Sequence, residues 1–350
     1  MQNRSGTELL RIIYMGTPGF AVPPLRRLLE SQQHQVVAVV TQPDRPVGRG
    51  QKMHTPPVKE LALEHHLPVL QPEKIKKTNF DQALSIYAAD IIVVVAYGRI
   101  IPPEVLNLPK YGCLNIHASL LPRYRGAAPI QWAIINGEHH TGVTIMQLDE
   151  GLDTGNIIAF EQVEILDDDD HQSVSNMLSV LGADLIIKVL DRIEASGKVE
   201  SVPQDDTRAT MAPLLEKKDG LINWGMTNEE IICRIRGLQP WPTAFSFLHG
   251  RAWKFLKAEP FLDSSGLVFS EQRDEQGRLL PGKDPGSVTA MIKGKGFTVK
   301  TGDGHLLVTL VQPPNKKAMG SLDAMNGKLV KKGDEFLSEP AFLEGTAEVE

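Results

Sequence analysis

Short apolar runs alternate with helical patterns over roughly the first two hundred residues. The runs at 11–15, 36–40 and 91–96 are apolar almost throughout, which is typical of strands covered on both faces of a sheet. The segments between them carry apolar residues at helical spacing, and a longer helical pattern covers 172–194. Strands that alternate with helices predict an α/β fold with a doubly wound, mostly parallel, Rossmann-like sheet.

The pattern changes after Lys217, where the apolar segments become short and are separated by glycines and Pro-Gly pairs. One helix is predicted at 227–236, and the segments after it favour a smaller, OB-like antiparallel β-barrel. The domain organisation that we expect is an α/β domain at 1–195, a polar linker at 196–214, a C-terminal β-barrel domain at 215–335 and an acidic tail at 336–350.

Composition adds limits to this picture. A chain of 350 residues suits two domains, and 41% hydrophobic with 23% charged residues excludes a disordered chain or a coiled-coil rod. The net charge is −6, yet 293–332 holds eight lysines against two aspartates, and 333–350 holds six acids and no base. Taken alone, this asymmetry favours an ordinary solvated surface over a nucleic-acid-binding track.

The compartment and metal content are also constrained. Two cysteines, Cys113 and Cys233, form neither a disulfide framework nor a four-ligand zinc site, and the sequence lacks H-E-x-x-H and C-x-x-C motifs. The longest apolar run, 91–97, is far shorter than the roughly 20 residues of a membrane-spanning helix, and the N-terminal residues lack the pattern of a signal peptide. We expect a cytoplasmic, metal-free protein without a membrane partner.

Three polar side chains form the candidate site. Asn115 and His117 are two residues apart on a predicted strand, so they share one face, and they lie where ligands bind in open α/β sheets. An amide can donate to a developing oxyanion, and an imidazole can move a proton near neutral pH. Asp153, in an Asp-Thr-Gly turn, could bring a carboxylate to the imidazole. Each residue alone is an ordinary strand-end or turn residue, and their joint occurrence indicates an Asn–His–Asp site.

Two other chemistries deserve comparison. Cys113 shares the strand face of Asn115 and His117, so it is a conceivable nucleophile, although a cysteine inside an apolar strand is more often an inert core residue. The loop Gly16-Thr-Pro-Gly19 lacks the G-x-G-x-x-G spacing that binds a pyrophosphate, which disfavours a nicotinamide enzyme.

Several longer motifs are specific enough to indicate a family. Asn115-Ile-His117, Ser119 to Ile130 and Gly151-Leu-Asp-Thr-Gly155 resemble the folate-dependent formyltransferases, and the match is closer to those that act on a charged tRNA. The same holds for 41–50 and 236–242, and the resemblance covers roughly residues 10 to 330.

The resemblance implies a reaction and a set of site residues. The formyl group of 10-formyltetrahydrofolate would pass to the α-amine of methionine esterified to initiator tRNA. By motif match, the catalytic places fall to Asn115, His117 and Asp153, and the folate contacts to Ser119, Leu120, Leu121 and Pro122.

The resemblance also implies a tRNA partner. The loop 41–52, through Arg45, Arg49 and Lys52, would insert at the end of the tRNA acceptor stem, and the basic stretch 293–332 would follow phosphates. We expect a monomer. The alternatives are a formyltransferase for a small amine, such as glycinamide ribotide or an amino-sugar nucleotide, and a non-catalytic RNA-binding protein.

Overall fold

The computed structural model describes residues 9–47, 52–261 and 284–338. The chain forms two compact units. The first unit comprises the residues up to 130 together with 139–165 and 173–213, and the second comprises 131–138, 166–172 and the residues from 214 onward. The second unit is therefore built from three separate pieces of the chain.

The central sheet of the first unit has the strand order β5-β2-β1-β6-β7-β8-β9. The strands from β5 to β7 pair in parallel, while β7 with β8 and β8 with β9 pair antiparallel. A separate hairpin pairs β3 with β4. The strands are β1 (Leu10–Gly16), β2 (His34–Val40), β3 (Arg45–Val47), β4 (Lys52–His54), β5 (Val69–Leu70), β6 (Ile91–Val95), β7 (Cys113–His117), β8 (His140–Gln147) and β9 (Ile157–Glu164).

Helices cover this sheet, which confirms the predicted mostly parallel, Rossmann-like α/β fold. Prolines lie in the first turns of α1, α2 and α4, where the missing N–H costs no helical hydrogen bond. Strands β1 and β6 lie at the centre of the sheet, and every residue of β6 is buried, as their apolar sequences predict. The helices in this part of the chain are α1 (Val22–Glu30), α2 (Pro57–Glu64), α3 (Phe80–Ser85), α4 (Pro103–Leu106), α5 (Pro129–Ile135) and α6 (His171–Ser196).

Helix α6 is long and apolar enough to cross a membrane by length and composition alone. Half of its most apolar window is buried inside the protein, however, and Gly182 of α6 faces Ile116 and Val143 on the sheet. Its charged residues pair with neighbouring elements of the first unit, as Asp184 does with Arg27 at 3.0 Å. Packing against the sheet therefore accounts for the apolar composition of α6.

An antiparallel sheet with the order β10-β11-β14-β13-β12 forms the second unit, and β15 pairs with β14. Helix α7 begins with a capping box, in which Thr227 and Glu230 each accept a hydrogen bond from the other's backbone N–H. The elements are α7 (Asn228–Gly237), β10 (Ala244–Leu248), β11 (Arg251–Pro260), β12 (Val288–Ile292), β13 (Gly296–Lys300), β14 (His305–Gln312), β15 (Met319–Gly320) and α8 (Ser321–Asn326).

The segment 334–337 joins the two outer strands of this sheet. Leu337 bridges Phe247 of β10, and Glu335 bridges Ser287 immediately before β12. Between them, the Phe336 ring packs against aromatic side chains of the unit, namely Trp224, Trp253, Phe255 and Phe297. The sheet is thereby closed in the manner of a barrel, as predicted.

Two stretches deserve comparison with the predicted domain limits, which stay predictions. The segment 196–213, most of the predicted linker, belongs to the first unit, where Val202 bridges Ile157 and Met211 bridges Arg125. At the start of the predicted tail, Phe336 packs among aromatic side chains of the antiparallel sheet, and Leu337 pairs with Phe247 through backbone hydrogen bonds. Residues 339–350, the rest of that tail, lie outside the described part of the chain.

Candidate active site

His117 ends strand β7, and its imidazole has one nitrogen in a fixed role. The side chain is buried, and its Nε2 lies 3.0 Å from the carbonyl oxygen of Tyr124. Because a carbonyl oxygen can only accept, Nε2 carries a hydrogen and donates it. The nitrogen that can gain or lose a proton is therefore Nδ1.

Asp153 faces that second nitrogen. Its Oδ2 lies 3.7 Å from His117 Nδ1 and accepts a hydrogen bond of 2.8 Å from the backbone N–H of Gly126. The side chains of His117 and Asp153 are only 6% and 13% exposed, so water screens their interaction weakly. The carboxylate therefore stabilises a positive charge on the imidazole.

The turn that carries Asp153 is tightly built. Asp153 itself has a φ of 53°, in the left-handed region. A Cβ added to Gly155 would collide with the carbonyl oxygen of Gln147, so only glycine fits there. The hydroxyl of Thr154 donates to both carboxylate oxygens of Asp149, at 2.8 and 2.9 Å. These contacts fix the turn that brings the Asp153 carboxylate to His117.

Asn115 precedes His117 by two residues, so the two side chains lie on the same face of β7. It is half-buried and pairs with Val94 of β6 and Met146 of β8. Within the described part of the chain, its side-chain amide forms no hydrogen bond. A half-buried amide of this kind can donate to an oxygen on which negative charge develops.

The predicted folate-contact loop follows directly. The hydroxyl of Ser119 is buried and donates to the carbonyl oxygen of Arg123 at 2.7 Å, so this side chain holds the loop itself. Thr144 of β8 donates to the carbonyl oxygen of Ser119 and accepts from the N–H of Leu121. Leu121 is buried, while Leu120 and Pro122 are half-buried. The four folate contacts stay predictions.

Cys113 does not have the environment of a nucleophile. Its thiol belongs to an apolar cluster and lies near the carbonyl oxygens of Val105 and Leu106, at 3.7 and 3.8 Å. Burial raises the pKa of this thiol to about 12, so the reactive thiolate is almost absent at neutral pH.

The predicted tRNA loop forms the hairpin β3–β4. Arg45 is exposed and donates to Gln42, and Lys52 begins β4 opposite Val47. At the base of the hairpin, Asp44 contacts Lys59 at 2.8 Å and accepts from Gln71. These two hydrogen bonds, with Gln71 contributing most, lower the pKa of the Asp44 carboxyl. Arg49 lies outside the described residues.

A cluster of metal-ligating groups lies away from this site. The ligand atoms of His34, Asp191 and Glu194 are within 4.8 Å of one another. His34 Nε2 contacts Asp191 at 2.9 Å, and its buried Nδ1 has no partner. A metal-bound imidazole usually donates its second N–H to an acceptor. His34 Nδ1 has no such acceptor, so we assign no metal to the cluster.

Sequence reasoning missed two side chains beside Asp153. Arg125 is a buried guanidinium that donates to the amide oxygen of Gln204. Gln204 in turn donates to the backbone carbonyl oxygens of Asp153 and Gly155. Gln204 lies in the stretch predicted as a linker, where no local pattern pointed to a structural partner of the site.

Comparison with known families defines the class of protein. A profile described as "Formyl transferase" matches residues 10–190, and one described as "Formyl transferase, C-terminal domain" matches residues 214–329. The Rossmann-like sheet and the added antiparallel domain agree with this match. The chain belongs to the formyl transferase family.

Individual relatives narrow the class further. The chain is 44% identical over 336 residues to methionyl-tRNA formyltransferase of Sulfurihydrogenibium sp. (strain YO3AOP1), covering 93% of this chain and 100% of the relative. It is 45% identical over 318 residues to the methionyl-tRNA formyltransferase of Desulfotalea psychrophila, covering 91% and 93%.

Solved structures support the fold. An N-formyltransferase from Helicobacter canadensis, in complex with folinic acid and dTDP-3-aminofucose, has a TM-score of 0.57 and 20% identity, covering 86% of this chain and 99% of that one. At this identity, the likeness concerns the fold alone.

Proposed function

We propose that this protein transfers the formyl group of 10-formyltetrahydrofolate to the α-amine of methionine esterified to initiator tRNA, for translation initiation. The observation that carries the proposal is the buried His117–Asp153 pair at the end of β7, with the Asn115 amide on the same strand face. The identity to methionyl-tRNA formyltransferases over nearly the whole chain supports the acceptor.

The reaction moves one carbon between two nitrogens. The lone pair of the neutral α-amine attacks the formyl carbon, and a tetrahedral oxyanion forms. The bond from this carbon to N10 of the folate then breaks, and N10 takes up one proton while the attacking amine loses one. No covalent bond to the protein is needed.

The protein's part is proton transfer and charge stabilisation. His117 Nδ1 and Asp153 form the proton-accepting pair, because Nε2 is engaged by the Tyr124 carbonyl. The Asn115 amide donates to the oxyanion, and loss of one such donor typically raises the barrier by about 3 kcal/mol. In this scheme, Asp153 keeps the imidazole oriented and balances its charge.

The residues next to the site fit a flat, partly apolar donor. Leu120 and Pro122 are half-buried, so each keeps some surface for contact, and Leu121 backs the loop from the core. We infer that this loop forms one wall of the folate site. The Helicobacter canadensis enzyme, which shares the fold, was crystallised with folinic acid, and this supports a folate donor.

The tRNA contacts are proposed for two surfaces. In the first unit, the β3–β4 hairpin presents Arg45, and we propose that it reaches the end of the acceptor stem, where a weak first base pair opens at low cost. In the second unit, the lysines of 293–332 supply phosphate contacts. We propose a monomer that acts in the cytoplasm, in which one chain supplies both His117 and Asp153.

An acceptor assay tests this proposal against the small-amine alternative. The purified protein is incubated with 10-formyltetrahydrofolate and, in separate reactions, with charged initiator tRNA, glycinamide ribotide or an amino-sugar nucleotide. We expect formylation of the tRNA-bound methionine at a kcat/KM at least 100-fold above that for either small amine. A preference for a small amine would contradict the proposal.

A further inference from the structure

Gln204 has an orientation that its neighbours fix completely. Its amide nitrogen donates to the carbonyl oxygens of Asp153 and Gly155, at 2.8 and 2.7 Å. Its amide oxygen accepts from Nε and Nη2 of Arg125, at 3.1 and 2.7 Å. A flipped amide would set N–H against N–H and oxygen against oxygen, so only one orientation satisfies all four contacts.

The Arg125 segment also holds the carboxylate directly. The next residue, Gly126, donates its N–H to Asp153 Oδ2 at 2.8 Å. The segment is itself fixed, because the N–H of Arg125 donates to Thr210 and its carbonyl oxygen accepts from Ala212. A Cβ on Gly126 would lie 2.6 Å from the Ala212 carbonyl oxygen, so the approach is as close as a glycine allows.

Two routes therefore run from one short segment to Asp153: one through the backbone to its carboxylate, and one through two side chains to its carbonyl oxygen. The backbone of Asp153 is in the left-handed region, which costs a non-glycine residue about 1 kcal/mol or more, so bonds at both ends of the residue are needed to hold it. We propose that Arg125 and Gln204 are positioning residues that set the distance between the Asp153 carboxylate and His117 Nδ1, a role that rests on the proposed function.

The variant Gln204→Glu separates this role from simple packing. It keeps the size of the side chain and an acceptor for Arg125, but it places a carboxylate oxygen against the Asp153 and Gly155 carbonyls, which cannot donate. We expect kcat for formylation to fall 10- to 100-fold with KM for charged tRNA within twofold, and the acid limb of the pH–kcat profile to move by at least half a pH unit.

The matched control is Asp205→Asn. Asp205 is exposed, is adjacent in sequence, and accepts from Thr207, a bond that asparagine can retain. This variant should keep kcat and the pH profile of the parent. A second variant, Arg125→Ala, should regain part of its lost kcat when guanidinium is added at a concentration that leaves the parent folded.

A measurement that does not depend on turnover separates the positioning role of Arg125 and Gln204 from the proposed formyl transfer. Amide hydrogen exchange at Gly126 should be at least tenfold faster in Gln204→Glu than in the parent, because its acceptor is no longer fixed. An unchanged Gly126 exchange rate, or a wild-type kcat and pH profile in Gln204→Glu, overturns the positioning role. Failure of the parent to formylate any acceptor would overturn the proposed function instead, and the exchange measurement would still decide the positioning role.

Discussion

At the scale of single residues, the site depends on which atoms are already engaged. His117 Nε2 is committed to a carbonyl oxygen, so proton exchange is confined to Nδ1 and the facing Asp153 carboxylate, which the backbone N–H of Gly126 holds in place. The strand pattern and the Asp-Thr-Gly turn predicted that His117 and Asp153 meet. The contacts of Gln204 could not be predicted, because they join residues about fifty positions apart through backbone carbonyls that any sequence possesses.

The carboxylate of Asp153 gives the first residue-scale prediction. Asp153→Asn should lower kcat 100- to 10,000-fold, the range typical of a lost general base, while the Kd for charged tRNA stays within threefold. Single-turnover formylation and a filter-binding titration measure the two quantities. Glu150→Gln, an exposed change in the same turn, is the control and should have parental activity. Activity in Asp153→Asn within tenfold of the parent would exclude the assigned role.

The buried thiol of Cys113 gives the second residue-scale prediction. Because burial raises the pKa of its thiol to about 12, Cys113→Ala should keep kcat within threefold and lose only about 1–2 kcal/mol of stability through the small cavity. Labelling of the native protein with a thiol-specific reagent at pH 8 should be far slower than labelling in denaturant. A large loss of kcat in a folded Cys113→Ala protein would restore the nucleophile hypothesis.

At the scale of elements, the sequence predicted where the strands lie but did not predict which strands pair or in which direction. Strands such as β6 were readable because a fully apolar run suits a sheet covered on both faces. The antiparallel pairing of β8 with β7 and of β9 with β8 could not be predicted, since an apolar strand carries no mark of its direction. Likewise, the pairing of 334–337 could not be predicted, because Leu337 meets Phe247 ninety positions earlier in the chain and Glu335 meets Ser287 forty-eight positions earlier.

The aromatic cluster around Phe336 gives the third prediction. Phe336 is 1% exposed and lies 5.0 Å from Phe255 between ring centroids, so Phe336→Ala should cost about 3–5 kcal/mol of the stability of the second unit. Urea unfolding followed by tryptophan fluorescence reports it, because Trp224 and Trp253 touch the ring. The control Phe160→Ala, at a 63% exposed position, should change stability by less than about 0.5 kcal/mol. Equal effects would refute the closing role of 334–337.

The fourth prediction concerns His305, which lies opposite Lys300 where β14 pairs with β13. Burial, with a smaller effect of the facing Lys300, lowers the pKa of His305 from 6.5 to about 4. Between these values, the unfolded chain binds a proton that the folded chain does not, so stability falls as pH drops from about 6.5 to 4. His305→Gln should weaken this fall, measured as urea unfolding free energy at pH 7 and pH 5. The exposed His139→Gln should leave it as in the parent, and an identical slope for both variants would contradict the prediction.

At the scale of the whole molecule, charge is distributed unevenly along a chain of net −6. The lysines of 293–332 are nearly all exposed, including Lys316, Lys317 and Lys331. Composition alone favoured a solvated surface for this stretch, and the proposal that it contacts phosphates rests on the 44% identity to a methionyl-tRNA formyltransferase over 93% of the chain. Spacing along the sequence could not reveal which lysines share a surface, because that depends on the sheet.

Salt dependence gives the fifth prediction. The logarithm of the tRNA association constant should fall linearly with the logarithm of salt concentration, because bound counterions are released. Replacing Lys316 and Lys317 together by Gln should reduce the magnitude of the slope by roughly 1–2. Lys188→Gln, which removes a lysine paired with Glu161 in the first unit, should leave the slope as in the parent. No change with the double variant would exclude these lysines as phosphate contacts.

The second unit includes 131–138 and 166–172 as well as the residues from 214 onward. Helix α7 depends on both inner segments of this unit. Its Gly237 lies against Ile135, and its Arg236 donates to the carbonyl oxygens of Leu166 and Asp169. A recombination event that moved only the 3′ portion of the gene would leave α7 without these neighbours. The parts of the gene that encode these three pieces are therefore expected to be inherited together. In a chimera of two distant relatives, residues 131–138 and 166–172 should come from the same parent as the residues from 214 onward.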